Sequence, residues 1–218
     1  MTAEDISPPP SLSRGAGITR PTVVLIGFMG AGKSTVGRII ADRLGVDFID
    51  TDAEIVARTG ESIPDIFASR GAQAFRELES EVVLDLLAAH RGVVALGGGA
   101  VTTESIRVAL DGHRVVHLRI GAEDGFSRVS GSDRPLLAGE NPAQRYRELL
   151  DERADIYVDV ATIDVDAAVG KADDVADVVI TEIARELAHA RELAAEQAAA
   201  PHSDHPAPHG KSQSERNP

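Results

Sequence analysis

The chain has 218 residues, a formal charge of −13, 43% hydrophobic residues and no cysteine. That length fits one domain with a core of its own, the lack of cysteine excludes a disulfide framework or a thiolate metal site, and no apolar run approaches membrane-spanning length. An acidic surface also disfavours nucleic-acid and anionic-membrane partners, which offer it no counterion release, so the cytoplasm is the expected compartment.

Residues 1–20 contain Pro8-Pro9-Pro10 with serine and glycine and lack the apolar core of a signal peptide, so a disordered arm is expected ahead of a body over 21–190. Val23-Val24-Leu25-Ile26 reads as a buried strand. It runs into Gly27-Phe28-Met29-Gly30-Ala31-Gly32-Lys33-Ser34-Thr35 and then into an amphipathic segment from Val36 to Leu44. Strand, glycine-rich loop and helix in that order are what a phosphate-binding loop requires. The glycines let successive N–H groups face inward, and the new helix aims its positive end at the same spot. Gly30, Ala31, Gly32, Lys33, Ser34 and Thr35 are therefore the expected nucleotide contacts, with Lys33 reaching the terminal phosphates and the Ser34 hydroxyl ligating Mg2+.

The segment from Val46 to Asp52 reads as a short strand ending in two carboxylates, Asp50 and Asp52, at the end of a parallel sheet where ligands sit. One would join the magnesium shell and the other a substrate hydroxyl; alternatively Asp52 caps a helix over Ala53 to Thr59. Ser62-Ile63-Pro64 starts a further helix that Gly71 stops, and a longer one follows from Ala72 to Ala89 with Phe75, Leu78, Val82 and Leu86 facing the core. Arg76 and Glu79 fall beside that stripe, either as a surface ion pair or with Arg76 as a clamp for an anionic substrate. Val93 to Leu96 is a buried strand closed by Gly97-Gly98-Gly99, a flexible turn or a backbone surface for a ligand.

A helix near Glu104 to Leu110 and a strand over Arg114 to Ile120 come next, with His117 as a satisfied core or sheet-edge histidine. After a helix from Gly121 to Val129, the turn-rich loop Ser130 to Gly139 carries Arg134 and, with Arg128, suits either a lid or an ordinary connection. Asn141-Pro142-Ala143-Gln144 starts a helix expected to carry Arg145, Arg147 and Arg153 on a solvated charged face. Ala161 to Val165 is the last strand, and a final helix from Asp173 places Val175, Val178, Val179, Ile183 and Leu187 on one face. Residues 191–218 are expected to be a disordered tail, where His202, His205 and His209 are incidental rather than metal ligands.

Together these motifs resemble the shikimate kinases, small-molecule kinases of the nucleoside-monophosphate-kinase fold, over roughly residues 21–187. The resemblance rests on the phosphate loop, on Phe48 to Asp52, on Phe75-Arg76-Glu77-Leu78-Glu79, on Leu96 to Gly99, and on Arg134-Pro135-Leu136-Leu137 with Arg153 beyond. It implies an α/β three-layer sandwich with a five-stranded parallel sheet of order 2-3-1-4-5, a phosphate loop and a lid. It also implies a monomeric enzyme that phosphorylates the 3-hydroxyl of shikimate with ATP and Mg2+. Asp52 would bind the ring hydroxyls and help accept the proton, Asp50 would lie near the metal, and Arg76 and Arg153 would hold the substrate carboxylate. Gly97, Gly98 and Gly99 would line the pocket, Arg134 would meet the γ-phosphate, and Arg128 would lie against adenine. The chain departs from the family at Ala72, where a glutamate is usual, and in a lid one residue shorter than in some members. A gluconate kinase or a non-catalytic nucleotide switch would share the loop but would not need Asp52, Arg76, Arg134 and Arg153 together.

Overall fold

The computed structural model describes residues 20–131, 135–137, 139–168 and 170–199; the expectations for the N-terminal arm, for Arg134 and for the polar tail from 200 onward lie outside these. Residues to Ile180 belong to one compact unit, and those from Thr181 to a second that is helical as far as Ala199.

The first unit is built on five strands: β1 (Val23–Ile26), β2 (Phe48–Asp50), β3 (Val93–Ala95), β4 (Val115–Arg119) and β5 (Ile163–Asp166). They are ordered β2-β3-β1-β4-β5, and every neighbouring pair is parallel. This is the order and direction expected for the three-layer α/β sandwich. Val23, Val24 and Leu25 of β1 are fully buried, as a central strand covered on both faces must be. Each such side chain contributes roughly 1.5–3 kcal/mol of transfer free energy.

Among the described residues eight α-helices accompany the sheet: α1 (Lys33–Leu44), α2 (Thr51–Thr59), α3 (Ile63–Ala89), α4 (Glu104–Leu110), α5 (Ala122–Val129), α6 (Pro142–Asp151), α7 (Ala154–Val160) and α8 (Ala172–Ala199). Four of them depart from the sequence expectation. The second strand is shorter than expected, so Asp52 stands in the first turn of α2 rather than on a strand. The residue capping α2 is Asp50, whose carboxylate accepts from the backbone N–H groups of Asp52 and Ala53 at 3.0 and 3.3 Å. Gly71, by contrast, breaks α3 as its sequence predicts: its φ of 80° and ψ of 171° are non-helical, so one helical stretch stops there and a second resumes at Ala72 and runs to Ala89.

The expected single helix beyond Pro142 is two. Asn141 caps α6 through Gln144 N–H, as its sequence predicts, but the helix ends at Asp151 and Arg153 sits at the junction, at the N-cap position of α7. In α8 the buried side chains of the first unit are Val175, Ala176 and Val179, while Val178 is 46% exposed, because a step of three from Val175 falls short of a full turn, on the side away from Ala176 and Val179. The helix also runs to Ala199, past the expected boundary at 190.

Candidate active site

The phosphate loop is built as its glycines require. Gly30 and Gly32 have φ values of 85° and 87°, a region open to glycine, and Gly32 is the N-cap of α1. Lys33 opens that helix and folds back over the loop, its Nζ donating to Gly27 O at 2.8 Å and Phe28 O at 3.3 Å. Its ammonium is thus held beside the backbone that would surround a phosphate chain.

One helical position on, the Ser34 hydroxyl donates to Asp50 Oδ2, so the two are in direct contact at the end of β2. A hydroxyl beside a carboxylate oxygen fits Mg2+, which keeps most of its shell for phosphate oxygens and water and takes only one or two protein ligands. Among the described residues no cluster of three His, Asp or Glu side chains offers a fuller cage.

At the carboxyl ends of β2 and β3 the chain forms a pocket lined by both carboxyl groups and arginines. Thr51, fully buried at the start of α2, accepts Gly97 N–H at 2.9 Å and so pins the triple-glycine segment to that helix. A methyl group on Gly97 would stand 2.6 Å from Glu79 Oε1 and 2.7 Å from Asp52 Oδ1, so both carboxylates lie against this residue and would have to shift for a larger one. Glu79 is 3% exposed, in the buried stripe of α3 with Phe75, Val82 and Leu86, the place the periodicity predicts for Leu78, which is only partly buried. Burial raises its carboxyl from 4.5 to about 7; the neighbouring Asp52 pushes the same way, while Arg153 and Arg76 pull it down.

The cavity enclosed here measures about 420 Å³, the size of a small-molecule site. Asp52, Arg76, Glu79, Gly97, Gly98, Gly99 and Arg153 line it, with Met29 of the phosphate loop and Leu136 of the loop preceding α6. Arg76 reaches it from α3 and is solvent-exposed. Arg153 reaches it from the α6–α7 junction, with its Nη1 donating to Gly98 O at 3.2 Å and its guanidinium carbon 5.3 Å from the centre of the Phe28 ring. Two guanidiniums from different elements facing one small cavity suit a carboxylate, which each can hold by paired hydrogen bonds.

Arg128, in the last turn of α5, donates to Gly30 O and to Ala167 O, both at 3.3 Å, and so bridges the phosphate loop and the turn after β5. Thr35 is exposed on α1, Ala31 is buried, and Arg134 lies outside the described residues. His117 is 6% exposed and bonds through Nδ1 to Asp164 Oδ1 at 2.7 Å, which fits its reading as a satisfied core histidine. Burial lowers its pKa, against the opposing pull of Asp164.

The sequence reading missed Glu79 and Thr51. The signal for Glu79 was its spacing, four after Phe75 and three before Val82, which sets a carboxylate in an apolar stripe. Thr51 gave no such signal, since a threonine at a helix start is common.

Known proteins resemble this chain in sequence and in fold. The sequence profile of shikimate kinase matches residues 29–184. The shikimate kinase of Thermobifida fusca (strain YX) is 50% identical over 166 residues, covering 76% of this chain and 96% of that protein. That of Mycobacterium avium (strain 104) is 54% identical over 147 residues, covering 67% of this chain and 84% of that one. Among solved structures, shikimate kinase from Acinetobacter baumannii in complex with shikimate matches with a TM-score of 0.74 at 38% identity, over 77% of this chain and 94% of that one. The matched span takes in most of the phosphate loop and the pocket with both of its arginines, and the chain belongs to the shikimate kinase family of ATP-dependent kinases.

Proposed function

We propose that this chain transfers the γ-phosphoryl group of ATP to the 3-hydroxyl of shikimate, giving shikimate 3-phosphate and ADP, a step of aromatic amino acid biosynthesis. The observation that carries the reading is the cavity beside the phosphate loop, where Asp52 and two arginines converge. Shikimate is a hydroxylated ring acid, so it presents to that cavity both an anion and an acceptor hydroxyl.

Arg76 and Arg153 bind the carboxylate and fix the ring, and the Gly97-Gly98-Gly99 backbone supports its face. Asp52 orients the 3-hydroxyl and takes its proton as the oxygen attacks the γ-phosphorus and the bond to the β–γ bridging oxygen breaks. Lys33 leaves the loop carbonyls for the β- and γ-phosphates, and Arg134 meets the γ-phosphate as the loop preceding α6 closes as a lid. Loop N–H groups from Gly30 to Thr35 hold the phosphate chain, and Arg128 lies against the adenine. Ser34 and Asp50 would hold Mg2+, whose charge offsets that of the phosphate oxygens.

The body over 21–190 is proposed to act as a cytoplasmic monomer. One chain carries every residue named here, and among the described residues no helix is long and apolar enough to cross a membrane.

Lys33→Ala tests the phosphate-loop role: turnover should fall about a hundredfold or more, and a near-normal rate would exclude it. A panel of hydroxy acids including gluconate tests the acceptor. Shikimate should be the preferred substrate, and a rate as high with gluconate would replace it.

A further inference from the structure

The chain has two tyrosines, and each is fully buried. Neither is an expected ligand contact, yet each spends its hydroxyl on a carbonyl of a ligand-binding loop. Tyr146 of α6 donates to Met29 O in the phosphate loop at 2.7 Å. Tyr157 of α7 donates to Gly98 O in the triple-glycine segment at 2.6 Å.

Both are built in place. Tyr146 packs edge-on against Phe28 at 4.8 Å and reaches Met29 across Gly125 of α5. A methyl group on Gly125 would stand 1.9 Å from the Tyr146 oxygen and 2.8 Å from its Cζ, so that glycine keeps the path open. Gly125 O also lies 2.5 Å from where a methyl group on Gly30 would stand, which sets α5 directly against the phosphate loop. Tyr157 is stacked on His117, with ring centres 4.9 Å apart and planes 9° from parallel, and His117 is itself held by Asp164. Burial raises both phenols above their usual range, so both stay protonated donors at neutral pH.

We propose that Tyr146 and Tyr157 are a pair of positioning residues, each setting one substrate site through one backbone carbonyl: Tyr146 the nucleotide site through Met29, Tyr157 the shikimate site through Gly98 and the Arg153 guanidinium bonded to the same carbonyl. The proposal rests on the kinase reading above. Helices α6 and α7 then serve as a common frame in which the two loops are registered against each other, and phosphoryl transfer depends on that register.

The test is Tyr146→Phe and Tyr157→Phe in the full chain, with dissociation constants for ATP and shikimate measured by calorimetry and KM and kcat measured for both. Tyr157→Phe should raise the shikimate constants about fivefold to thirtyfold, the loss of one buried hydrogen bond, with the ATP constants nearly unchanged. Tyr146→Phe should do the reverse, with the larger shift on ATP. Gly125→Ala should raise the ATP dissociation constant as Tyr146→Phe does and add little on top of it in the double variant. Equal shifts on both ligands in both variants, or no shift in either, would overturn the proposal and leave the tyrosines as core residues. If the unaltered protein bound ATP but did not turn over shikimate, the substrate reading would fail instead, and the Tyr146 arm would still be read from ATP binding.

Discussion

Glu79 is the residue whose burial costs the fold most plainly. Its carboxyl titrates near 4.5 in an ordinary setting and at about 7 in the folded chain, so between those values the native state binds more protons than the unfolded one. Unfolding free energy therefore falls as pH rises through that window, by on the order of 3 kcal/mol, and levels off above it. Glu79→Gln removes the ionisable group and should flatten this dependence. Urea unfolding at about pH 5 and about pH 8 should show the variant gaining on the parent protein at the higher value; parallel profiles would mean that Glu79 is not held neutral. The arginines that face it belong to the same scale. Loss of a charge-assisted pair by Arg76→Ala or Arg153→Ala should raise the shikimate KM about tenfold to hundredfold, with ATP binding retained after Arg76→Ala. Arg76→Lys should restore only part, because an ammonium cannot make the paired contact. An unchanged shikimate KM in both alanine variants would remove the carboxylate clamp.

At the scale of elements, the parts of the site differ in how far they can be read from sequence. The phosphate loop is legible because its glycines, its lysine and its flanking strand and helix all point to one structure. The choice between Asp50 and Asp52 as helix cap is not, since both are good caps two positions apart and the end of a three-residue strand decides. The α6–α7 junction is hidden for a different reason. No glycine or proline marks it, and Arg153, at φ −112° and ψ −7°, turns its side chain to Gly98 and Phe28. Long-range contacts of that kind leave no local trace. Gly71 is the opposite case: nothing stands within 4 Å of where its side chain would be, so only its φ of 80° requires glycine. Gly71→Ala should accordingly cost about 1 kcal/mol and lower the midpoint of thermal unfolding by about 2–4 °C. No loss of stability would mean that the α3 break relaxes without strain.

At the scale of the molecule, strand order explains why the site lies where it does. With β2, β3 and β1 adjacent, the segments after their carboxyl ends are neighbours: Asp50 to Asp52, Gly97 to Gly99 and the phosphate loop. Open parallel sheets place ligands at that edge. The phosphate loop brings the donor to it, and Arg76 and Arg153 bring two positive charges to a chain whose net charge is −13. The central claim is that these two halves act on one another, donor phosphate against acceptor hydroxyl. The most direct measurement is ADP release from ATP and Mg2+ with and without shikimate, with the position of the new phosphoester assigned by NMR. Release should be strongly shikimate-dependent, with the phosphoryl group on the 3-hydroxyl. ATP binding without shikimate-dependent ADP release would contradict the account.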